Sequence, residues 1–167
     1  MDIRLSHTLD EIPALEWNTL LTDNNPFLRH EFLSALEHQQ CVGGQSGWQP
    51  HYLLVNDGQQ LLGALPMYLK DHSFGEFVFD WAWANAYARA GLDYYPKLVV
   101  ATPFTPVTGN RLLVTESSQQ EVVADALIKK ALEHAQTLNV SSLHFLFCNE
   151  KDAQRLQHHD FMLRTDH

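Results

Sequence analysis

The sequence predicts a mixed α/β domain in which a largely antiparallel sheet is flanked by helices. In the first half, the apolar stretches HYLLVND and QQLLGALPMYLK are separated by Asn56-Asp57-Gly58, which is typical of an antiparallel hairpin. In the second half, helical patterns alternate with short apolar runs. Strands through the middle of the chain, followed by helix, strand, helix and strand, indicate the α/β class.

The N-terminal third is predicted to contain a strand and two helices. Ile3 and Leu5 alternate with polar neighbours, as in a short strand. Asp10 is suited to cap a first helix. Asn25, placed before a proline, repeats this start signal for a second helix that ends near Gln40.

Three features of the central region predict its strands and a short helix. Pro66 interrupts the second arm of the hairpin, and it predicts a bulge, an edge or a strand end because proline cannot donate a ladder hydrogen bond. FGEFVFD alternates at Phe77 and Phe79, which predicts a further strand. WAWANAYARAG then predicts a short helix closed by Gly91.

The C-terminal third carries the clearest helical pattern of the chain. SSQQEVVADALIKKALEHAQTLN has apolar residues at helical spacing, with Ser117 or Ser118 as its cap. SSLHFLFC then predicts a buried strand, EKDAQRLQHHD a short helix and FMLRTDH the start of another strand.

Length and charge limit the classes of function. The 167 residues are predicted to form a single domain, residues 1–167, since the chain is of ordinary domain size and 45% hydrophobic. A formal net charge of -9 disfavours DNA and other nucleic acid as partners, because the chain gains no general phosphate-neutralising term. The start of the chain has no apolar leader segment and no stretch long enough to span a bilayer, so a cytoplasmic protein is expected.

Cysteine and histidine patterns indicate neither a disulfide framework nor a metal site. Cys41 and Cys148 form no CxxC pair, which favours reduced cysteines. The ten histidines lack HxxxH or HExxH spacing with a third ligand, so no metal is expected.

The stretch KLVVATPFTPVTGNRLLV, residues 97–114, breaks a β-branched run with a stiff loop. Pro103 and Pro106 restrict the backbone, whereas Gly109 permits close approach. One interpretation is a cradle for phosphate beside a helix N-terminus. The other is a rigid crossing between two core elements. The candidate ligands of the cradle are Thr105, Thr108, Gly109 and Arg111.

The second unusual stretch, residues 74–104, holds nine aromatic residues. Most are interpreted as core, although Tyr and Trp also offer a polar handle to a ligand. The candidates for binding a substrate are Trp81, Trp83, Tyr94 and Tyr95.

Two carboxylates in this stretch are candidate proton acceptors. Asp80 stands between Phe79 and Trp81, and apolar surroundings raise the pKa of a carboxylate. The simpler interpretation of Asp80 is an N-cap of the following helix. Glu76 is the second candidate.

Four blocks resemble the FemAB-like proteins, which are bacterial relatives of the peptidyltransferases that add amino acids to cell-wall precursors. The blocks are NPFLRHEFLSALE (25–37), GWQPHYLLV (47–55), GALPMYLKDHSFGEFVFDWAWANAY (63–87) and GLDYYPKLVVATPFTPVTGNRLL (91–113). The resemblance implies a GNAT-like fold, in which a mixed sheet splays apart to admit an acyl donor. Family members typically carry a second GNAT-like half, so the resemblance implies that residues 1–167 are a natural half or a fragment, the N-terminal half of a longer architecture with a partner half-domain. A homodimer is a separate expectation, because FMLRTDH is predicted to lie near an unfinished sheet edge.

The resemblance implies acyl-coenzyme A or aminoacyl-tRNA as the donor. The usual coenzyme A signature is Arg or Gln, two residues, then Gly-x-Gly or Gly-x-Ala, and it connects a strand to the pyrophosphate-binding helix. TPVTGNR occupies the nearest position and has a single glycine, which is a departure from that signature. The tRNA-binding parts of Fem-type enzymes are not recognisable in this acidic chain.

Two functions follow as hypotheses. The first is an acyl- or aminoacyl-transferase that acts on an amine of a small molecule or a cell-wall precursor, with Glu76 or Asp80 as proton acceptor and the 105–111 loop on a phosphate of donor or precursor. The second is a non-catalytic GNAT-like half that binds a ligand or a partner domain without turnover.

Overall fold

The structure of the chain is a computed structural model that describes residues 1–165. Within them, eight strands form two four-stranded sheets, with the orders β1-β3-β4-β7 and β2-β5-β6-β8. All neighbours are antiparallel except β6 and β8, which are parallel. The strands are β1 (Asp2–Ser6), β2 (Trp48–Pro50), β3 (Tyr52–Asp57), β4 (Gln60–Leu65), β5 (Met67–Lys70), β6 (Lys97–Val100), β7 (Leu113–Val114) and β8 (Leu143–Phe145).

Helices cover both faces of the sheets. None within residues 1–165 combines the length and apolar character needed to cross a bilayer. Two 3-10 turns, Leu9–Glu11 and Pro26–Leu28, precede the first two helices in turn. The α-helices are α1 (Ala14–Asn18), α2 (His30–His38), α3 (Trp81–Arg89), α4 (Gln120–Leu138) and α5 (Glu150–Gln157).

The two sheets adjoin at two single-residue breaks in the chain. Only His51 separates β2 from β3, and only Pro66 separates β4 from β5. The His51 amide donates to the Met67 carbonyl at 2.8 Å, which joins the two arms at this point. Pro66 therefore marks a strand end, as predicted, because it offers no N–H for a continuous ladder.

The loop of residues 101–112 connects β6 of one sheet to β7 of the other. Before it, β6 pairs with β5, and after it, β7 pairs with β4, so the chain leaves one sheet and returns on the other. The Gly109 amide donates to the Phe147 carbonyl, and the Asn149 amide donates to the Gly109 carbonyl, both at 3.0 Å. The loop with its prolines and glycine thus connects the two sheets and is bonded to the segment that follows β8.

Alternate residues of β6 face different apolar clusters. Val99 lies in the cluster that contains Trp17 of α1 and Leu33 of α2. Leu98 and Val100 lie in the cluster that contains residues of α4 and α5. This is the period of two expected of a strand buried on both faces.

Most predicted elements are confirmed. The first strand, the hairpin at Asn56-Asp57-Gly58, the helix after Asn25, the helices α3, α4 and α5, and the strand β8 are all present. The Asn25 side chain accepts from the Phe27 amide at the start of a 3-10 turn, and α2 follows from His30.

Three local predictions are wrong. Thr8, not Asp10, caps the first turn with its side chain, and α1 begins four residues after Asp10. At α4 the N-cap is Gln119 and has no side-chain cap bond. Residues 161–165 of FMLRTDH form no strand, and the last two residues of that stretch lie outside the described residues.

The predicted strand in FGEFVFD is also wrong, and the reason leads to the site. Its alternation is reversed, because Glu76 and Asp80 are buried whereas Phe77 and Phe79 are exposed. Phe77 has a φ of 58°, in the left-handed region, which a strand does not accommodate. The carboxylates, not the phenylalanines, hold this segment against the protein.

Candidate functional site

Four buried ionisable residues meet where β5 ends and β6 begins. Lys70 and Lys97 are register partners across these strands. Glu76 and Asp80 come from the connection that follows β5, and each of the four side chains belongs to a residue at most 5% exposed. Lys70, Glu76, Asp80 and Lys97 are called the Lys97 cluster below.

Lys97 is the centre of this cluster. Its Nζ donates to Glu76 Oε2 at 2.8 Å, to Asp80 Oδ2 at 2.5 Å and to Ser73 Oγ at 2.9 Å. The hydroxyl of Tyr94 donates to Asp80 Oδ2 at 2.7 Å. Two lysines and two carboxylates balance formally, which offsets the cost of taking four charges out of water.

Lys70 lies beside the centre in a more apolar setting. Its Nζ is 3.7 Å from the centroid of the Trp48 ring and donates to the Phe74 carbonyl at 3.1 Å. Burial lowers the pKa of Lys70 to about 8, although attraction to Glu76 opposes this shift. Its ammonium charge is therefore present at neutral pH and lost in mildly alkaline solution.

The two carboxylates are in different electrostatic states. Burial raises the pKa of Glu76, and attraction to Lys97 opposes the shift without cancelling it. Burial also acts against ionisation of Asp80, but hydrogen bonds from Lys97, Tyr94 and Ser73 outweigh it and leave the Asp80 pKa below its usual value. Such a difference separates a group that exchanges a proton from one that stays ionised.

Glu76 has one oxygen free for a further contact. Oε2 accepts from Lys97, whereas Oε1 is buried without a hydrogen-bond partner and lies 3.9 Å from Lys70 Nζ. A buried oxygen left in this way costs free energy, so Oε1 is available to accept a further hydrogen bond.

His144 of β8 adds a neutral imidazole near the cluster. It lies opposite Val99 in the register, on the sheet face that Lys97 also occupies. Burial lowers the pKa of His144 to about 4, and repulsion by Lys97 adds to the effect. Its Nε2 is 2.8 Å from Ser142 Oγ.

The structure divides the four predicted aromatic substrate ligands into two pairs. Tyr94 and Tyr95 belong to the surroundings of the cluster, with ring centroids 5.3 and 5.7 Å from Lys97 Nζ. The Tyr95 hydroxyl also lies 2.7 Å from Ser73 Oγ. Trp81 and Trp83 are exposed on α3 and lie on the surface.

Asp80 is predicted to be either the N-cap of α3 or a proton acceptor, and the structure places it at the N-cap position without a capping hydrogen bond. The carboxylate is directed instead to Lys97 and Tyr94. Sequence patterns favour the cap because they do not show which strand residue lies opposite.

Arg111 and Gly109, two of the predicted phosphate ligands, are engaged within the protein. The fully buried Arg111 guanidinium donates to the carbonyls of Leu146 and Val107 at 2.7 Å and of Asn110 at 3.0 Å. The Gly109 amide bonds to Phe147. This geometry favours the rigid crossing over the phosphate cradle for these two residues.

The two threonines of the loop are more accessible. Thr108 is exposed, and Thr105 is half-buried with its hydroxyl donating to the Pro103 carbonyl at 3.0 Å. They are the predicted phosphate ligands that have surface access.

The connection from strand to long helix lies further along the chain than TPVTGNR. It is TESSQ, residues 115–119, between β7 and α4. This segment contains no glycine and no Lys or Arg, and it includes the acidic Glu116. The coenzyme A signature is therefore absent at the position that leads into α4.

The loop of residues 101–108 touches the connection that holds the cluster. The Phe104 amide donates to the Gly75 carbonyl at 3.0 Å. A Cβ on Gly75 would lie 2.5 Å from the Phe104 ring, so this approach depends on glycine. The Phe104 ring also packs 5.4 Å from Trp48, centroid to centroid. The two unusual stretches of the sequence thus form one continuous region.

A sequence model of the FemAB-like family, described as peptidoglycan biosynthesis/recognition, matches residues 8–167. The chain belongs to the FemAB-like family. No curated protein sequence gives a significant match.

Solved structures show that the fold is that of the GNAT acetyltransferases. A protein of Agrobacterium tumefaciens described as an acetyltransferase is 11% identical, with a TM-score of 0.61 over 100% of this FemAB-like chain and 96% of its own. A ribosomal-protein-alanine N-acetyltransferase of Brucella melitensis is 18% identical, with a TM-score of 0.55 over 99% and 94%. An aminoglycoside 6'-N-acetyltransferase of Acinetobacter haemolyticus is 13% identical, with a TM-score of 0.52 over 100% and 93%. Family and fold together support an N-acyltransferase-type function.

A second group of titratable residues in the FemAB-like chain lies between β2 and β3. His51 Nδ1 is 2.8 Å from His134 Nε2 of α4, and the His7 ring packs against the His51 ring. Among residues 1–165, no group of three or more His, Cys, Asp or Glu side chains is arranged to hold a metal ion. Burial of His51 beside two other imidazoles links its protonation to stability.

We expect His51 to make stability depend on pH between about 6.5 and 4. Burial, with repulsion by His7 and His134, lowers the pKa of His51 to about 4. Between about pH 6.5 and 4, His51 is protonated in the unfolded chain but neutral in the folded protein. The free energy of unfolding therefore falls as pH falls, by about 1.4 kcal/mol per pH unit for each such group. The free energy of unfolding is measured with urea at a series of pH values. His51→Gln should lower its slope against pH by about 1.4 kcal/mol per pH unit, which corresponds to one proton. The exposed His158→Gln is the control, and an equal slope in both variants would contradict the prediction.

Proposed function

We propose that this FemAB-like chain is an N-acyltransferase that transfers an acyl or aminoacyl group to an amine of a cell-wall precursor, and that Glu76 accepts the proton of that amine. The observation that carries the proposal is the buried Glu76 Oε1, which has no hydrogen-bond partner and lies 3.9 Å from Lys70 Nζ.

The chemistry of the reaction requires such a group. An amine is protonated at neutral pH and attacks a carbonyl only after it loses a proton. A carboxylate with a raised pKa takes that proton more readily than one with an ordinary pKa, and burial raises the pKa of Glu76. The new C–N bond then forms, the bond from the acyl carbon to the donor sulfur or oxygen breaks, and the leaving group takes up a proton.

The neighbours of Glu76 have distinct roles in this proposal. Lys97 holds Oε2, which leaves Oε1 directed to the amine. Asp80 stays ionised and fixes Lys97. Lys70 is charged below about pH 8 and adds a positive field where negative charge develops on the carbonyl oxygen.

The substrate reaches Glu76 only when the connection over the cluster moves. Glu76 and Asp80 anchor this connection through Lys97. Ahead of them, it is held by the Phe74 carbonyl, which accepts from Trp48 Nε1 and Lys70 Nζ, and by the Gly75 carbonyl, which accepts from Phe104. An opening that breaks these carbonyl contacts and keeps the carboxylates bound to Lys97 costs less than unfolding of the core.

The donor is proposed to be acyl-coenzyme A or aminoacyl-tRNA. Thr105 and Thr108 remain the candidate ligands for its phosphate. The lack of a cation in residues 115–119 disfavours tight pyrophosphate binding before α4. The acidic chain likewise disfavours tRNA binding by charge alone.

The test is a transfer assay with both donors. The acceptor is a cell-wall peptide precursor with a free lysine amine, and the donors are labelled acetyl-coenzyme A and labelled alanyl-tRNA. With the donor that is used, Glu76→Gln should lower kcat by about 10²–10⁴-fold, the usual contribution of a general base, with little change in KM. Glu16→Gln, an exposed carboxylate on α1, is the matched control. Turnover unchanged in Glu76→Gln would contradict the proposed role.

A second candidate function is a non-catalytic GNAT-like half that needs a partner domain. It is favoured by the strand-to-helix connection at residues 115–119, which lacks the coenzyme A signature. It accords with the hypothesis that residues 1–167 are one half of a longer architecture. Calorimetric titration separates the two: saturable precursor binding without transfer from either donor would support the binding half.

A further inference from the structure

The segment that covers the Lys97 cluster has an aromatic outer surface. Five side chains within ten residues are more than half exposed, at 68, 54, 77, 63 and 53%. This is the reverse of an ordinary surface segment, since its carboxylates face inward and its aromatic rings face solvent. The five residues, called the aromatic surface below, are Phe74, Phe77, Phe79, Trp81 and Trp83.

The helix that carries part of this surface packs only lightly on the protein, mainly through the Tyr87 ring against Tyr94. α3 has nine residues, and none of them is buried. An isolated helix of this length is marginal in water, because most helical stability in proteins comes from packing. An additional contact on α3 would therefore stabilise it.

Charges are sparse around the aromatic surface. Between residues 72 and 92, Arg89 is the one exposed Lys, Arg, Asp or Glu, since Glu76 and Asp80 are buried. Exposed Asp71 and Asp93 lie just beyond the two ends of this stretch. One cation between two carboxylates is self-complementary, so a two-fold contact lets Arg89 of each copy approach the carboxylates of the other.

We propose that a second copy of this chain covers the aromatic surface. Five aromatic side chains of about 200 Å² each, on average about three-fifths exposed, present about 600 Å². Leu92 and Phe104, at 60 and 42% exposed, extend the apolar area toward the roughly 800 Å² per partner of a stable interface. This proposal does not depend on the proposed catalytic role of Glu76.

The occupant is a copy of the chain, not a lipid surface, on grounds of charge. The net charge of -9 repels anionic membranes, and the stretch offers a single cation for lipid phosphate. Amphipathic helices that lie on membranes are typically rich in Lys and Arg on their polar face.

The test measures mass in solution from about 1 to about 100 μM, by sedimentation or light scattering, since interfaces of this size span such affinities. We expect twice the 19.1 kDa chain mass at the upper end. Tryptophan emission should shift to the blue with association, because Trp17 and Trp48 are already buried and only Trp81 and Trp83 change their surroundings.

Matched variants separate this surface from general stickiness. Phe79→Ser with Trp83→Ser should give a monomer with unchanged circular dichroism, whereas Leu15→Ser with Val122→Ser, which are exposed elsewhere, should still dimerise. A monomeric wild type at the upper concentration would overturn the proposal. So would a blue shift produced only by phosphatidylcholine vesicles, which would assign the surface to lipid.

Discussion

Replacing Lys97 with methionine is expected to lower the free energy of unfolding by about 3–5 kcal/mol, the usual cost of removing one partner from a buried ionic group. Lys97 Nζ donates to Glu76, Asp80 and Ser73, and the residue is 1% exposed. Without it, two buried carboxylates face each other with only Lys70 near them. Urea unfolding at neutral pH measures the loss.

Two comparisons make this result specific to the cluster. Lys129→Met breaks an exposed pair with Asp125 on α4, and it should cost at most about 1 kcal/mol. The loss in Lys97→Met should also shrink as pH falls, because protonation of the carboxylates removes their unpaired charge. A loss below about 1 kcal/mol for Lys97→Met would contradict the structure of the cluster.

Replacing Arg111 with alanine is expected to cost about 3 kcal/mol or more. The guanidinium donates to three carbonyls, of Leu146, Val107 and Asn110, and the residue is fully buried. The substitution leaves these acceptors without donors and opens a cavity, and each effect costs from about 1 to a few kcal/mol. Urea unfolding again gives the measurement.

The matched control is Arg29→Ala, which removes an exposed arginine that pairs with Glu31. Its cost should stay below about 1 kcal/mol. If Arg111→Ala kept full stability but lost affinity for an anionic ligand, the phosphate-cradle interpretation of the loop would replace the structural one.

The sequence predicts the fold well where periodicity and turn chemistry agree. The hairpin at Asn56-Asp57-Gly58 and the helix α4 depend on local patterns, and both are present. The pattern in FGEFVFD misleads because its alternation is a true period of two whose buried face is charged. Only the long-range partner Lys97, seventeen residues beyond Asp80, makes that face the inner one.

The site is only partly predicted, because local patterns do not show which strands pair. Glu76, Asp80, Tyr94 and Tyr95 are identified from local composition, and the structure brings them together. Lys70, Lys97 and His144 are missed, because each belongs to a short strand with apolar neighbours and shows its role only through strand pairing. A lysine beside apolar strand residues, as in MYLK and KLVV, is the sequence signal that indicates a buried ionic partner.

The role of Arg111 depends on information that a single sequence does not contain. A cation after TPVTG suits a phosphate as well as a set of carbonyls. The choice is made by Leu146, thirty-five residues away, whose carbonyl lies 2.7 Å from Arg111 Nε.

The most direct test of the account compares the cluster with the loop in one transfer assay. Glu76→Gln is measured beside Thr105→Val and Thr108→Val, with the donor that supports turnover and with folding checked by circular dichroism. The account predicts that kcat falls by about 10²-fold or more in Glu76→Gln and stays within a few-fold of wild type in the two threonine variants. Loss of kcat in the threonine variants, with Glu76→Gln fully active, would contradict it.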